Sequence, residues 1–362
     1  MSARRAPLTD RLAAPGETFV RESWTSGAHG ASPRQWLDTR ADLIWRTSRW
    51  RTVLRAGDLA PRDRVLLTLP LWHATAQDCL AAVLDCDVLT LPRADPTLVE
   101  MQRFEPTVLI ATPNEALRLG HAAAEQRVDL EDGSVRLVVV CGEPGGSLGS
   151  TRRRIEDAFG ARVLDVYALT ELGVVGWSCV AGGGVHLDEA AFRIEALAPD
   201  GEGDAAVVDG NLGELTVTTL GQRGVSLERY RTGDLVRLRR TPCACGTTNV
   251  LAEGGILGRR GERLVVRGVE LLPSSIEQVV RRHPAVVEYH LLVYQVRAEC
   301  ELAVELEVQS AVASEGDLAR VAAEVAEDLR RSLGVRLQVE LVAPGSLRAQ
   351  DAGRRARRLS RQ

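Results

Sequence analysis

Four short, almost uninterrupted apolar runs set the fold class: Val65-Leu66-Leu67-Thr68-Leu69, Thr107-Val108-Leu109-Ile110-Ala111, Val135-Arg136-Leu137-Val138-Val139-Val140 and Arg162-Val163-Leu164-Asp165-Val166-Tyr167. A strand with one wet face alternates apolar and polar residues. Continuous apolar runs belong to strands covered on both faces, the condition of a parallel sheet between layers of helix. The intervening stretches are long enough for crossover helices, and Asp38 to Arg55 and Ser150 to Phe159 are the candidates. Strand and helix alternating in this way predict an α/β arrangement.

The texture changes after the fourth run. Residues Gly182 to Leu251 are rich in glycine and carry shorter alternating runs such as Glu214-Leu215-Thr216-Val217-Thr218, the pattern of an antiparallel β region. A smaller unit follows Gly258. Its order reads as a hairpin (Arg263 to Val269), a helix from Pro273, two strands (Val287 to Tyr294 and Glu301 to Val308), a helix (Gly316 to Leu333) and a strand (Arg336 to Val342). That order predicts a small α+β sandwich. The expected organisation is a large α/β domain over residues 1–257, containing the antiparallel region, and a small α+β domain over 258–362. A length of 362 residues suits two domains.

Composition narrows the classes of function. The chain has 45 basic and 49 acidic residues and a formal charge of −4, which leaves no electrostatic footprint for nucleic acid. No apolar run reaches the roughly 18 residues of a membrane-crossing helix. The first residues carry charges without the apolar segment of a secretory signal, so the cytoplasm is the expected compartment. The sequence contains no lysine, so all 45 basic residues are arginine and no side chain offers an ammonium group. Seven cysteines (Cys79, Cys86, Cys141, Cys179, Cys243, Cys245, Cys300) are too few and scattered for a disulfide framework. In the cytoplasm such cysteines are free, catalytic or metal-bound.

Four stretches carry polar groups suited to chemistry. Thr25-Ser26-Gly27-Ala28-His29-Gly30-Ala31-Ser32 is a small-residue loop of the kind that turns backbone N–H groups towards phosphate, although an ordinary turn has the same composition. Asp165-Val166-Tyr167-Ala168-Leu169-Thr170-Glu171 presents an aromatic ring, a hydroxyl and a carboxylate at the carboxyl end of a buried strand, where ligands of open α/β sheets gather. A stacked purine, a phosphate contact and a Mg²⁺ ligand fit it, and so does a loop with a satisfied Tyr and a solvated Glu. Tyr230-Arg231-Thr232-Gly233-Asp234-Leu235 reads as a compact polar turn in which Asp234 accepts two ribose hydroxyls or caps the turn. Gly258-Arg259 and Arg267 to Glu277 lie where the texture changes and read as a hinge, with Pro273 well suited to begin a helix.

Together, in this order and spacing, these stretches resemble the adenylate-forming enzyme superfamily, and within it the phenylacetate–coenzyme A ligase family. The resemblance runs from about Trp24 to the C-terminus and also takes in Gly142-Glu143-Pro144. It implies a large ATP- and acid-binding domain and a mobile C-terminal lid. It implies that Ser26, Gly27 and Gly30 border the ATP phosphates and that Gly142, Glu143 and Pro144 lie beside the adenine. Tyr167 would stack on the adenine, Thr170 touch phosphate, Glu171 hold Mg²⁺, and Asp234 bind the ribose with Arg259 nearby. The acid would sit near Trp72, His73 and Val140. The implied chemistry is attack of a carboxylate on the α-phosphorus of ATP, loss of pyrophosphate, and capture of the acyl adenylate by coenzyme A or by an amine or carrier protein.

Cys243-Ala244-Cys245-Gly246 is a knuckle-like turn, and two thiolates so close suit a tetrahedral metal. Cys179 and His186 follow Glu171, which makes a Cys₃His set of the structural zinc kind. The resemblance implies the same arrangement; the alternative is four unrelated residues.

The chain departs from the pattern in three places. Ala28 and His29 replace two threonine hydroxyls in the phosphate loop, leaving His29 as a side-chain donor. The lysine that the family carries near its C-terminus falls at Arg355, and arginine is longer, planar and forked. Few residues precede Thr25, so the 1–257 domain is expected to be a form truncated at its N-terminus. Two readings follow. One is a ligase for an aryl or similar small carboxylic acid in secondary metabolism, with a homodimer as the candidate assembly and no nucleic acid or membrane partner. The other is a non-catalytic homologue that binds nucleotide or acyl adenylate as a partner protein.

Overall fold

The structure, a computed structural model, describes residues 18–24, 35–68, 80, 85–91, 98–179, 181–199, 205–222, 224–296, 299–309, 314–347 and 359–361. It opens with β1 (Phe19–Trp24), β2 (Gln35–Thr39) and α1 (Arg40–Ala56). An alternating series follows: β3 (Arg64–Leu67), β4 (Asp87–Thr90), α2 (Leu98–Phe104), β5 (Val108–Ala111), α3 (Pro113–Gln126), β6 (Leu137–Cys141), α4 (Gly149–Phe159) and β7 (Arg162–Leu169). Then come β8 (Gly173–Ser178), β9 (Gly184–Leu187), β10 (Phe192–Leu197), β11 (Leu212–Thr219), β12 (Tyr230–Arg239), β13 (Leu251–Glu253) and β14 (Gly258–Arg259).

The strands from β3 to β14 form one 12-stranded sheet in the order β10-β11-β12-β13-β9-β8-β7-β6-β5-β3-β4, with β14 pairing β12. The four apolar runs, with β4 added in parallel at the edge beside β3, are its parallel part, and every residue of β5 and β6 is buried. One face packs Trp50, Val53 and Leu54 of α1 against Val65, Ile110 and Val139. The other packs Leu119 and Ala123 of α3 and Ile155 and Phe159 of α4 against Leu109, Val138 and Val163. Each such buried Val, Leu, Ile or Phe side chain contributes about 1.5–3 kcal/mol relative to exposure. From β8 onward the pairing is antiparallel, as the glycine-rich texture predicts.

Two local expectations change. Helix α1 starts at Arg40 rather than Asp38, because Thr39 and Asp42 form a reciprocal capping box. Asp38 stays at the end of β2. The stretch Tyr230-Leu235 is not a turn but the first half of β12. It is held between β11 and β14, and the irregularity lies in the register opposite, between Glu214 and Thr216.

The C-terminal unit comprises β15 (Leu264–Val266), β16 (Val269–Leu271), α5 (Pro273–Val280), β17 (Val286–Val296), β18 (Glu299–Val308), α6 (Glu315–Leu333), β19 (Gln338–Val342) and β20 (Leu359–Arg361). Its four-stranded sheet has the order β19-β18-β17-β20, and β20 was not foreseen. Ile276 and Val280 of α5 and Val325 and Leu329 of α6 pack on Tyr289, Leu291, Val304 and Leu306. The unit docks on the large sheet through α5 and α4. Buried Glu277 accepts bonds from Thr151 Oγ1 at 2.8 Å and Tyr289 OH at 3.2 Å. Gln278 Oε1 accepts from Ser150 Oγ at 3.2 Å. Among the described residues no helix is long and apolar enough to cross a membrane.

Candidate active site

The carboxyl end of β7, the first half of β12 and the short β14 bring three sequence-selected side chains together. Tyr167 OH donates to Asp234 Oδ2 at 2.6 Å, and Arg259 Nε lies 3.0 Å from Asp234 Oδ1. Asp234 and Arg259 face each other in the β12–β14 register. Burial pushes the Asp234 carboxyl above its usual range, against the pull of Arg259 and the Tyr167 bond. Burial, and then the Asp234 charge, hold the Tyr167 phenol far above its usual range, so it stays a donor. Asp234 in turn raises the Arg259 guanidinium.

β7 runs on to Leu169, so only Thr170 and Glu171 of that motif lie in the following turn. Arg46 of α1 holds this turn by its backbone, donating to Thr170 O at 2.8 Å and Glu171 O at 2.9 Å. Arg46 is itself paired with Asp38 at 2.9 Å and lies over the Trp36 ring. The Glu171 carboxylate is thereby left to face Tyr230, whose OH donates to Oε1 at 3.1 Å. A single half-buried carboxylate held by its backbone suits a hydrated Mg²⁺, which keeps most of its waters.

Sequence reasoning missed Arg46 and Glu214. Glu214 on β11 is almost wholly buried. It accepts from Arg231 Nε at 2.9 Å and Nη2 at 2.7 Å, and from Gly233 N–H at 3.1 Å. It thus fixes Arg231 and Gly233, two of the three residues that precede Asp234. A lone acid in an alternating strand carries no signal of this; only the β11–β12 register creates it.

Gly142, Glu143 and Pro144 form the turn after β6, between β6 and α4. The turn continues to Ser147, whose Oγ donates to Asp165 Oδ2 at 2.6 Å. Burial raises the Asp165 carboxyl to about 6. A Cβ on Gly146 would stand 2.4 Å from Val140 Cγ2 and 2.6 Å from Asp165 Cγ, so only glycine lets this turn lie against the sheet. Ser26, Gly27, His29 and Gly30, with Trp72, His73 and Arg355, lie outside the described residues.

The four metal candidates converge. One ligand atom each from Cys179, His186, Cys243 and Cys245 lies within 4.8 Å of all the others. Cys179 Sγ and Cys243 Sγ are 3.4 Å apart, as are Cys245 Sγ and His186 Nε2. A zinc tetrahedron with sulfur ligands has edges of about 3.8 Å, so the donor set fits. His186 Nδ1 is 3.0 Å from Asn249 O, which orients the ring and leaves Nε2 towards the sulfurs. Burial pushes the Cys179 thiol up to about 12, whereas the Cys245 N–H and the Cys179 thiol draw Cys243 down to about 6.

The Tyr167–Asp234–Arg259 cluster beside the carboxyl end of β7, with a small α+β unit joined just beyond Arg259, defines a class. The AMP-binding enzyme family profile matches residues 24–221, and the AMP-binding enzyme C-terminal domain profile matches residues 268–360. The chain belongs to the AMP-binding, adenylate-forming enzyme family, and its curated relatives include phenylacetate–coenzyme A ligases. It is 31% identical to the phenylacetate–coenzyme A ligase of Thermus thermophilus over 70% of this chain and 60% of the relative. It is 32% identical to that of Pseudomonas putida over 68% of this chain and 55% of the relative. The chain therefore spans less than two thirds of either relative's length. Among solved structures, 2-hydroxyisobutyryl-CoA ligase in its postadenylation state matches 98% of this chain and 76% of its own, with a TM-score of 0.85 at 23% identity. In its thioesterification state the same ligase gives 0.61 at 24% identity, over 95% of this chain and 74% of its own.

Proposed function

We propose that the chain activates an aryl or similar small carboxylic acid as an acyl adenylate with Mg-ATP and passes the acyl group to coenzyme A or another acceptor in cytoplasmic secondary metabolism. The carrying observation is the buried Tyr167–Asp234–Arg259 cluster beside the Arg46-anchored Glu171 turn. In this reading Asp234 takes the ribose hydroxyls, Tyr167 presents its ring to the adenine beside Gly142-Glu143-Pro144, and Thr170 contacts phosphate. Glu171 holds the Mg²⁺ that neutralises charge on the phosphates as pyrophosphate leaves. Ser26, Gly27, His29 and Gly30 cradle the phosphates, and Arg355 supplies the cation at the reacting carboxylate. Zinc held by Cys179, His186, Cys243 and Cys245 is structural, because four protein ligands leave no open position. It ties the loop after β8 to the loop after β12.

The likeness to the postadenylation rather than the thioesterification arrangement supports reading the α4–α5 docking as the first-half-reaction state. The second reading, a nucleotide-binding partner protein without catalysis, rests on the absence of lysine from the whole chain. Acid-dependent pyrophosphate release from Mg-ATP, across a panel of aryl and amino-aryl acids, separates the two. Release that is lost in Arg355→Ala supports the ligase. ATP binding without release from any acid supports the partner reading.

A further inference from the structure

Helix α3 begins at the carboxyl end of β5, and Ala111 pairs Val140 across the sheet. Its first residues therefore lie beside the end of β6 and the turn after it. A Cβ on Gly145 of that turn would stand 3.5 Å from Pro113 Cβ. This is the sheet edge at which ligands of open α/β folds collect. A plain aryl acid would need apolar surroundings at this edge, yet two polar side chains are buried at the start of α3, Asn114 at 3% and Glu115 at 4% exposure.

The helix itself needs only one of them. Thr112 and Glu115 complete a capping box, with Glu115 Oε2 accepting the Thr112 N–H at 2.9 Å. The same oxygen lies 3.2 Å from Thr68 Oγ1. No hydrogen bond among the described residues uses Glu115 Oε1. Asn114 Oδ1 is buried and has no partner among the described residues. Buried acceptors are nearly always satisfied in native proteins, and one that is not marks a place where something else supplies the donor. Arg118, one turn further along α3, offsets part of the Glu115 charge, but burial still holds that carboxyl above its usual range. Both free atoms are acceptors, so the complement is a donor.

On the acid-activation reading above, we infer that Asn114 Oδ1 and Glu115 Oε1 select an acid bearing an amino or hydroxyl substituent, whose N–H or O–H they accept. The site then rejects the same acid without that group, because its loss leaves the buried Asn114 acceptor unpaired.

The test uses non-reactive acyl-sulfamoyl adenosines in matched sets: benzoyl against its hydroxy and amino isomers, and butanoyl against its hydroxy and amino forms. Binding to the full chain is measured by calorimetry, beside Asn114→Leu and Asn114→Asp. At least one donor-bearing ligand should bind about 10- to 10²-fold more tightly than its parent. Asn114→Leu should abolish that preference with an unchanged or raised Tm, since the free amide has no Oδ1 bond to lose. Asn114→Asp should keep the preference for the amine. A preference that is absent, or that survives Asn114→Leu, overturns the inference, as does a lowered Tm in that variant. If unsubstituted acids drive ATP–pyrophosphate exchange as well as their substituted partners, acid activation stands and only this inference fails. If no analogue binds and no acid drives exchange, both fail.

Discussion

The Tyr167 hydroxyl donates to Oδ2 of Asp234 at 2.6 Å, joining two strands separated by 67 positions of sequence. The bond fixes where the Asp234 carboxylate points while its other oxygen meets Arg259. Tyr167→Phe keeps the ring and removes only the donor. It should lower stability by about 1–3 kcal/mol, because a buried carboxylate loses one of its partners. ATP affinity should fall with it. Chemical denaturation and calorimetry read the two effects, and a variant equal to wild type in both would show that the bond does not position Asp234.

Arg46 fastens the Thr170–Glu171 turn to α1 through two backbone carbonyls and is neutralised by Asp38. Arg46→Leu takes the paired guanidinium from the buried Asp38 carboxylate, leaving it the Trp36 indole bond, and leaves the turn unanchored. A loss of about 3–5 kcal/mol is expected. Arg46→Lys should recover only part of it, since one ammonium cannot reproduce the fork that holds both carbonyls. Thermal unfolding ranks the three proteins, and equal midpoints would refute the anchoring role.

Asp165 gives a pH signature. Burial lifts its carboxyl from 3.8 to about 6 in the folded chain. The folded state therefore holds a proton that the unfolded state releases first. The stability tied to that proton is complete below about pH 4 and is lost as pH rises through about 6, a change of about 3 kcal/mol. Asp165→Asn keeps an oxygen for the Ser147 hydroxyl and removes the titration. The stability of Asp165→Asn relative to wild type should rise between pH 4 and 6 and then stay level. A flat difference across that range would contradict the assignment.

The Cys₃His cluster predicts about one zinc per chain in protein purified without chelator. Cys245→Ser should reduce the zinc content, and a strong chelator should lower the melting temperature of wild type but not of the variant. Metal analysis that finds no zinc rejects the site.

The parallel core was legible because β5 and β6 are buried along their whole length, and burial on both faces writes itself as an unbroken apolar run. The Cys and His positions were legible because metal ligands are few in kind. Asp38 was misplaced into a helix because Asp is also a good cap; Thr39 and Asp42 take that role between them. The stretch from Tyr230 to Leu235 looked like a turn because polar residues and a glycine interrupt it. Its acids and arginines are paired across strands, which a single segment cannot reveal. Arg46 and Glu214 act over 124 and 17 positions of sequence, and their roles exist only once the register is set. Asn114 was silent for a different reason, since nothing in a helix start distinguishes a satisfied amide from an orphaned one.

Asp234 and Arg259 are joined twice, by an ion pair and by the β12–β14 ladder, and Arg259 is the last strand residue before the C-terminal unit. On the proposed function, the connection to the C-terminal unit is thus bolted to the shelf that takes a ligand's hydroxyls, so occupancy at Asp234 and swing of that unit would be coupled, and coupled in both directions.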